Sequence, residues 1–244
     1  MDQTVAIIGV IFAFSVIQSV FGMGLLVFGT PTLLLLGLPF PIALGWLLPA
    51  SLAISTIQVV GSFDQARASL AQGRLLVCLV PLVAGLAVVL VFDLHAKIDL
   101  VIGATMLLVS AIRVNAALQK RLARLIVYAE KPYLVAMGVL HGFTNMGGAL
   151  LSVYAAAVHR EKPEIRGTIA TYYLAFGVVQ IATIALLKPD ALGAHGSMSA
   201  VIATIAYCLV GRIIFPRASG KAYDKAITGF IAIYGVAVLV KASL

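Results

Sequence analysis

Charged residues are scarce in this chain of 244 residues. They make up 11% of it, whereas globular domains average about 25%. Hydrophobic residues account for 62% of the chain, and the mean hydropathy is +1.10. This composition excludes a soluble globular protein and is typical of a protein that crosses the membrane several times. No polar stretch is long enough for a separate soluble domain, so we predict a single membrane domain over residues 1–244.

Cysteine is rare as well, with two residues in the chain, and the sequence patterns of common catalytic sites are missing. Cys78 and Cys208 each lie within an apolar run and form no CxxC pair, which excludes a disulfide framework and a thiolate metal site. The sequence has no GxSxG or HExxH motif and no cluster of Asp or Glu within an apolar stretch. We therefore predict no metal ion, no cofactor and no enzymatic activity.

The charges that are present are mostly basic, with a net charge of +8, and their positions predict the orientation of the chain. The loops 92–98 and 187–197 carry one lysine each and are placed outside. Most of the other Lys and Arg residues lie in four segments that the positive-inside rule places in the cytoplasm: 61–74, 113–131, 158–168 and 212–225. Anionic headgroups suit such segments, so we expect membrane lipids, and not nucleic acid, as partners.

Apolar stretches of two kinds follow one another along the chain. Two of them, 4–38 and 132–158, are too long for one untilted helix and are interrupted by glycine, which predicts a broken helix or a hairpin of two short helices. The others have the length of single membrane spans or nearly so: 41–61, 75–92, 98–114, 165–187, 197–215 and 226–241.

The predicted orientations make the two halves of the chain inverted relative to each other, with both termini outside. A shift of 122 residues places Gln58 on Gln180, and a shift of 123 places Gly24 on Gly147. We predict an all-α integral membrane protein with two inverted-topology repeats, each consisting of a broken helix or hairpin followed by three transmembrane helices.

The repeats have predicted boundaries at 1–114 and 132–244, joined by a cytoplasmic linker at 115–131. The linker is basic and amphipathic. It is predicted either as a helix along the membrane surface or as a solvated connector.

In both long stretches, 4–38 and 132–158, the interrupting glycines lie near polar side chains. Helix breaks at membrane depth occur only where the freed backbone groups face protein or a watery cavity, and two breaks in corresponding halves point to a transporter's binding site. The N–H groups at a helix N-terminus also suit an anion. The predicted anion-binding residues at the breaks are Gly22, Gly24, Thr30, Thr32, Thr144, Asn145, Gly147 and Gly148. Close helix packing is the alternative role for the glycines.

Polar side chains near the breaks extend this prediction. Gln58 and Gln180 either bind the anion or form interhelical hydrogen bonds, and Gln18 belongs to the same class. His141 is the candidate carrier if transport is coupled to protons, with a packing histidine as the alternative. Arg166 either attracts anions from the cytoplasm or anchors its span. A role in lining the route or in marking an interface is open for Tyr154, Tyr172 and Tyr173.

Short motifs across the chain carry a resemblance to a known family. They are Gly22-Met23-Gly24, Thr30-Pro31, Leu36-Gly37-Leu38-Pro39 and Ala43 in the first half, and Gly138, Gly142, Gly147-Gly148 and Arg166-Gly167-Thr168 in the second. With these motifs the chain resembles the TauE/SafE family of sulfite and organosulfonate exporter-like membrane proteins. Tyr154 departs from the family pattern, which often has a proline there. The resemblance implies secondary transport of small anions, often sulfur-containing, by a multi-pass protein of the bacterial inner (plasma) membrane.

The breaks and the resemblance together predict a secondary transporter that exports small anions such as sulfite or organosulfonates. Alternating access would operate around a midplane anion site between the two hairpins. The expected partners are the anionic substrate and lipids, and association into a homodimer is an open alternative. The alternative functions are uptake of another small anion, a non-transporting membrane subunit and, with least support, a membrane-embedded enzyme.

Overall fold

The structure is a computed structural model, and it describes residues 3–63 and 73–214 together with isolated positions beyond residue 228. Within the described ranges the chain is helical, with no strand. The helices are α1 (Gln3–Phe21), α2 (Leu25–Leu35), α3 (Phe40–Val60), α4 (Arg74–Val91), α5 (His95–Val114), α6 (Ala116–Tyr128), α7 (Glu130–Thr144), α8 (Gly148–Val158), α9 (Lys162–Leu187), α10 (Ala194–Ala206) and α11 (Arg212–Ile214). A 3-10 turn at Pro189–Ala191 precedes α10, and a π-helical turn at Tyr207–Gly211 joins α10 to α11.

In the part of the chain that the structure describes, five helical segments are long and apolar enough to cross a membrane. They are α1, α3, α4, α9 and the segment Ala194–Ile214. This finding supports the predicted all-α membrane protein. The predicted span 226–241 falls mostly outside the described residues, as do most of the basic segments 61–74 and 212–225.

The stretch 4–38 is interrupted between residues 21 and 25, in agreement with the predicted break. Of its two parts only α2, with 11 residues, is short, since α1 has 19 residues. At 1.5 Å per residue, α1 is about 28 Å long, which is close to the thickness of the hydrocarbon core. A single helix forms here because its interior glycine, Gly9, is tolerated, whereas the closely spaced Gly22 and Gly24 end it.

Helices α3 and α9 lie at the centre of the bundle and contact each other. Helix α3 also packs against α2 and α10, and α9 packs against α4 and α8. The largest fully buried side chains come mainly from α2, α3 and α9, and they include Phe28, Phe40, Tyr172, Tyr173 and Phe176. The two helices that the predicted repeats treat as counterparts therefore share one core.

Helices α4 and α7 approach each other closely at two glycines. A Cβ atom at Gly138 would overlap the carbonyl oxygen of Cys78, and one at Gly142 would overlap that of Leu82. Small residues allow this kind of close approach between membrane helices. Packing, the alternative role for glycine, therefore applies to Gly138 and Gly142.

We expect Gly142→Ala to lower the free energy of unfolding by about 1–3 kcal/mol, because the added methyl group overpacks the α4–α7 contact. Thermal unfolding in detergent measures the loss. Gly9→Ala is the matched control, since a Cβ atom at Gly9 would meet no atom within 4 Å. Equal stability of the two variants would show that the close approach does not contribute to stability.

The central linker forms helix α6. The side-chain Oδ1 of Asn115 caps it by accepting hydrogen bonds from the N–H groups of Ala117 at 2.9 Å and Leu118 at 3.1 Å. Ile126 is buried, and the basic side chains Lys120, Arg121 and Arg124 are exposed. The prediction of a helix is confirmed, and its contact with the membrane surface stays a prediction.

Candidate functional site

The two helix breaks begin with the same backbone turn. Gly22 follows the last residue of α1, has φ of 75° and donates its N–H to the carbonyl of Gln18 at 2.7 Å. Asn145 follows the last residue of α7, has φ of 60° and donates its N–H to the carbonyl of His141 at 2.7 Å. Positive φ is accessible to glycine and, among other residues, mainly to asparagine and aspartate. The residue types at the two breaks therefore fit the turn that each makes.

After each break a short helix of 11 residues begins. Gly24 precedes α2 and accepts from the N–H of Phe28 at 2.8 Å, and Gly147 precedes α8 and accepts from the N–H of Leu151 at 2.8 Å. Among the residues that the structure describes, no side chain caps either N-terminus. Both helices therefore begin with first-turn N–H groups that carry partial positive charge.

The second break meets helix α2, which follows the first break, although the two segments are far apart in sequence. The side-chain Nδ2 of Asn145 donates to Oγ1 of Thr30 in α2 at 2.9 Å. A Cβ atom at Gly148 would lie 2.9 Å from the Cγ2 of Val27, in the first turn of α2. The N-terminal parts of α2 and α8 thus lie against each other, and the positive ends of two helix dipoles converge on one place.

A chain of hydrogen bonds runs through this place. Nε2 of Gln180 in α9 donates to Oδ1 of Asn145 at 3.2 Å, and Oε1 of Gln180 lies 3.3 Å from Nε2 of His141. The N–H of Gly147 donates to Nδ1 of His141 at 3.0 Å. Because Nδ1 accepts this bond, the proton of a neutral His141 ring lies on Nε2 and is donated to Gln180.

The members of this chain are closed off from solvent. Thr30, His141, Asn145 and Gln180 are each 0% exposed. In such surroundings hydrogen bonds and helix dipoles act more strongly than in water. A buried donor without a hydrogen-bond partner also lowers the stability of the fold more than it would at the surface. These residues form a buried polar cluster whose members are hydrogen-bonded to one another.

A comparison with protein families matches residues 7–241 to the family described as "Sulfite exporter TauE/SafE". The chain belongs to the TauE/SafE family. The resemblance predicted from the glycine-rich motifs is therefore confirmed, and it includes both helix breaks. No curated protein and no solved structure matches the chain.

TauE/SafE is a family of membrane exporters, and the five apolar helices of this chain agree with such a protein. Family membership therefore supports a transport function and argues against catalysis. Among the described residues, no group of three or more His, Cys, Asp or Glu side chains is arranged to hold a metal ion.

The first half of this TauE/SafE chain holds a second polar cluster, around Gln18. Its Nε2 donates to Oγ of Ser51 at 2.9 Å and to Oγ of Ser55 at 3.3 Å. Gln58 donates from Nε2 to the carbonyls of Gln18 at 3.1 Å and Ser19 at 3.0 Å. Gln58 thus binds the C-terminal end of α1, whereas its counterpart Gln180 binds the side chains of the second break.

Two of the predicted threonines satisfy backbone groups of their own segments. Thr32 donates to the carbonyl of Phe28 at 2.6 Å and is half-buried. Thr144 donates to the carbonyl of Leu140 at 2.7 Å and accepts from the N–H of Met146 at 3.2 Å, which holds the turn of the second break. The structure brings Thr30 to the site, and it gives Thr32 and Thr144 local partners.

Arg166 lies at the first break and not at the hydrogen-bonded chain. It is half-buried, and a Cβ atom at Gly22 would lie 3.2 Å from both its Cγ and its carbonyl oxygen. Tyr173 and Gln180 follow Arg166 along α9 at intervals of seven residues, which is two helical turns. These three residues therefore share one face of α9. The sequence left the role of Tyr173 open, although this seven-residue spacing could have marked it.

Proposed function

We propose that this protein is a secondary transporter that exports small sulfur-containing anions such as sulfite or organosulfonates. Membership of the TauE/SafE exporter family supports the substrate class and the direction. One observation supports the location of the site above all. The N-terminal parts of α2 and α8 converge, joined by the hydrogen bond from Asn145 to Thr30. Two converging positive helix ends in a dry interior favour a negatively charged ligand.

The proposed anion site lies between the two breaks. Gly147 and Gly148 present the N-terminus of α8, and Thr30, Asn145 and Gln180 offer side-chain donors. Gly22 and Gly24 form the corresponding turn before α2, and Gly24 lets α2 begin close to α1, since a Cβ atom there would lie 2.6 Å from Cγ2 of Ile17. Gln58, Thr32 and Thr144 act indirectly in this proposal, by holding the backbone of the breaks in place.

Two inverted repeats would give this site its alternating access. Three pairs at a shift of 123 residues support the repeat: Gln18 with His141, Gly22 with Asn145, and Gly24 with Gly147. The packing agrees, because α7 contacts α4 and α1 contacts α10, their counterpart pair. Rocking of one part of the bundle against the other would open the proposed site to either side of a bacterial inner membrane in turn.

His141 is the proposed link between protons and the anion. Its Nδ1 accepts the N–H of Gly147, so a proton can bind at Nδ1 only if this hydrogen bond breaks. Breaking this hydrogen bond would free the N–H of Gly147 to donate to an anion at the start of α8. Arg166, beside the first break, is proposed to raise the local concentration of anions at the entrance.

Anion-dependent stabilisation of the purified protein and flux in proteoliposomes test the proposal. A ligand at 100 times its dissociation constant raises the free energy of unfolding by about 2.7 kcal/mol if it binds only the folded state. We expect such a shift in thermal unfolding with sulfite or with alkylsulfonates, and counterflow of the same labelled anions in vesicles. Absence of both the shift and the flux across a panel of sulfur-containing anions would refute the proposed function.

A further inference from the structure

The hydroxyl group of Tyr173 is buried beside the proposed site without a hydrogen-bond partner among the described residues. Tyr173 is 0% exposed. Buried polar atoms in proteins nearly always have a partner, so an unpartnered one calls for an explanation. Tyr173 is well placed on α9 to serve the site, because Gln180 lies two turns further along the same face.

The position of this hydroxyl is at the N-terminus of α8. A Cβ atom at Gly148, the first residue of α8, would overlap the Tyr173 hydroxyl. Glycine therefore allows the hydroxyl to reach the first turn of α8, where no described side chain caps the N–H groups. The ring is held by aromatic neighbours, with centroid distances of 6.2 Å to both His141 and Phe176. A hydroxyl donor and the first N–H groups of α8 thus lie side by side.

We propose that the Tyr173 hydroxyl and the first-turn N–H groups of α8 bind the oxygen atoms of the transported anion directly, and that this site selects singly charged oxyanions over doubly charged ones. The inference rests on the proposed function and names the ligand class of that site. The expected ligands are sulfonates and hydrogensulfite, which carry one negative charge.

The selection by charge follows from the groups that surround the site. The polar side chains there are those of Thr30, His141, Asn145, Tyr173 and Gln180. His141 carries one positive charge when both of its nitrogens are protonated, and the other four are neutral. Neutral donors, helix dipoles and at most one cationic side chain stabilise one negative charge well. In the Born description the cost of taking an ion out of water grows with the square of its charge, so a dianion costs about four times as much to bury.

The nearest described basic side chain on the same face of α9 does not change this balance. Arg166 precedes Tyr173 by two helical turns, about 10 Å along the axis, and it is only half-buried beside Gly22. Its charge can attract an anion to the entrance. It does not provide the contact that would neutralise a second charge at the start of α8.

The first experiment removes the hydroxyl. Tyr173→Phe is expected to weaken binding of methanesulfonate roughly 10- to 100-fold, because one hydrogen bond to a charged ligand is lost. Tyr172→Phe is the matched control. Tyr172 immediately precedes Tyr173 in α9 and is also buried, but its hydroxyl shares a hydrogen bond with Tyr154. The dissociation constant comes from the concentration dependence of the thermal shift. Unchanged binding in Tyr173→Phe, with both variants folded, would overturn the assignment of Tyr173.

The second experiment compares two ions of nearly the same shape. Methanesulfonate carries one charge, and methylphosphonate carries two in mildly alkaline solution and one in mildly acidic solution. We expect methanesulfonate to bind at both pH values, and methylphosphonate to bind roughly 100-fold more weakly as a dianion than as a monoanion. Equal or tighter binding of the dianion would overturn the selection by charge.

The outcomes of the two experiments separate the inference from the proposed function. In one outcome the wild type binds and transports methanesulfonate, but Tyr173→Phe has no effect and monoanions are not preferred. This outcome would support the proposed transport function and refute the inference. No binding or flux of any anion of the panel in the wild type would refute both.

Discussion

Replacing Asn145 with aspartate is expected to abolish anion binding and transport while leaving the fold intact. Aspartate has the same shape, and it also tolerates the positive φ of this position. Its carboxylate can still accept from Nε2 of Gln180, and the hydroxyl of Thr30 can turn to donate to it. The new negative charge would lie beside the bound anion. Repulsion between unit charges 4 Å apart is about 4 kcal/mol at an effective dielectric constant of 20, so we expect binding to weaken at least about 100-fold.

The dependence of this variant on pH gives a second signature. Protonation of the introduced carboxyl group removes the charge, so anion binding by Asn145→Asp should recover as the pH is lowered. Asn115→Asp is the matched control. Asn115 caps α6, where a carboxylate accepts the same N–H groups, so this variant should bind anions like the wild type. Wild-type affinity in Asn145→Asp at neutral and alkaline pH would place the anion elsewhere.

Replacing Gln180 with leucine is expected to have the second-largest effect. The substitution removes the side chain that links His141 to Asn145. The Nε2 proton of His141 and the Oδ1 of Asn145 then lose the partner that Gln180 provides, and both atoms are buried. We expect the free energy of unfolding to fall by about 2 kcal/mol or more. The anion-dependent thermal shift should disappear as well, because Asn145 is no longer held toward the site. Differential scanning fluorimetry with and without methanesulfonate measures both effects.

Gln58→Leu is the control that distinguishes the two counterpart glutamines. The Oε1 of Gln58 already has no hydrogen-bond partner among the described residues, and its Nε2 binds carbonyls at the end of α1. Its replacement should lower stability but preserve a thermal shift with the anion. If the two variants lose the shift equally, Gln58 contributes to binding as directly as Gln180 does, as the sequence alone had left open.

The helix breaks were largely predictable because their causes are local. Gly22 and Gly24 stand close together in an apolar stretch, and a helix cannot continue easily through such a pair. The second break was less obvious, since the residue with positive φ is Asn145 and not one of the neighbouring glycines. The sequence shows where the first helix is interrupted, but it left open whether both fragments are short, and only the structure shows that α1 has 19 residues and α2 has 11.

The contrast between Gln58 and Gln180 could not be predicted from the sequence. Both lie in apolar spans at corresponding positions, and the sequence predicts the same two roles for them, anion binding or an interhelical hydrogen bond. They differ because of what packs against them. Gln58 binds the backbone carbonyls of Gln18 and Ser19, whereas Gln180 binds the side chains of His141 and Asn145. Tyr173 is a similar case, since only packing against Gly148 shows what its hydroxyl faces.

The sequence by itself determined that this is a helical membrane protein, that it belongs with the TauE/SafE exporters, and that glycine interrupts its helices twice. Apolar length, charge placement and backbone freedom are properties of residues that are neighbours along the chain. Only the tertiary structure decided which polar groups meet. Thr30 and Asn145 are 115 residues apart, and their hydrogen bond forms because the packing of α2 against α8 brings them together.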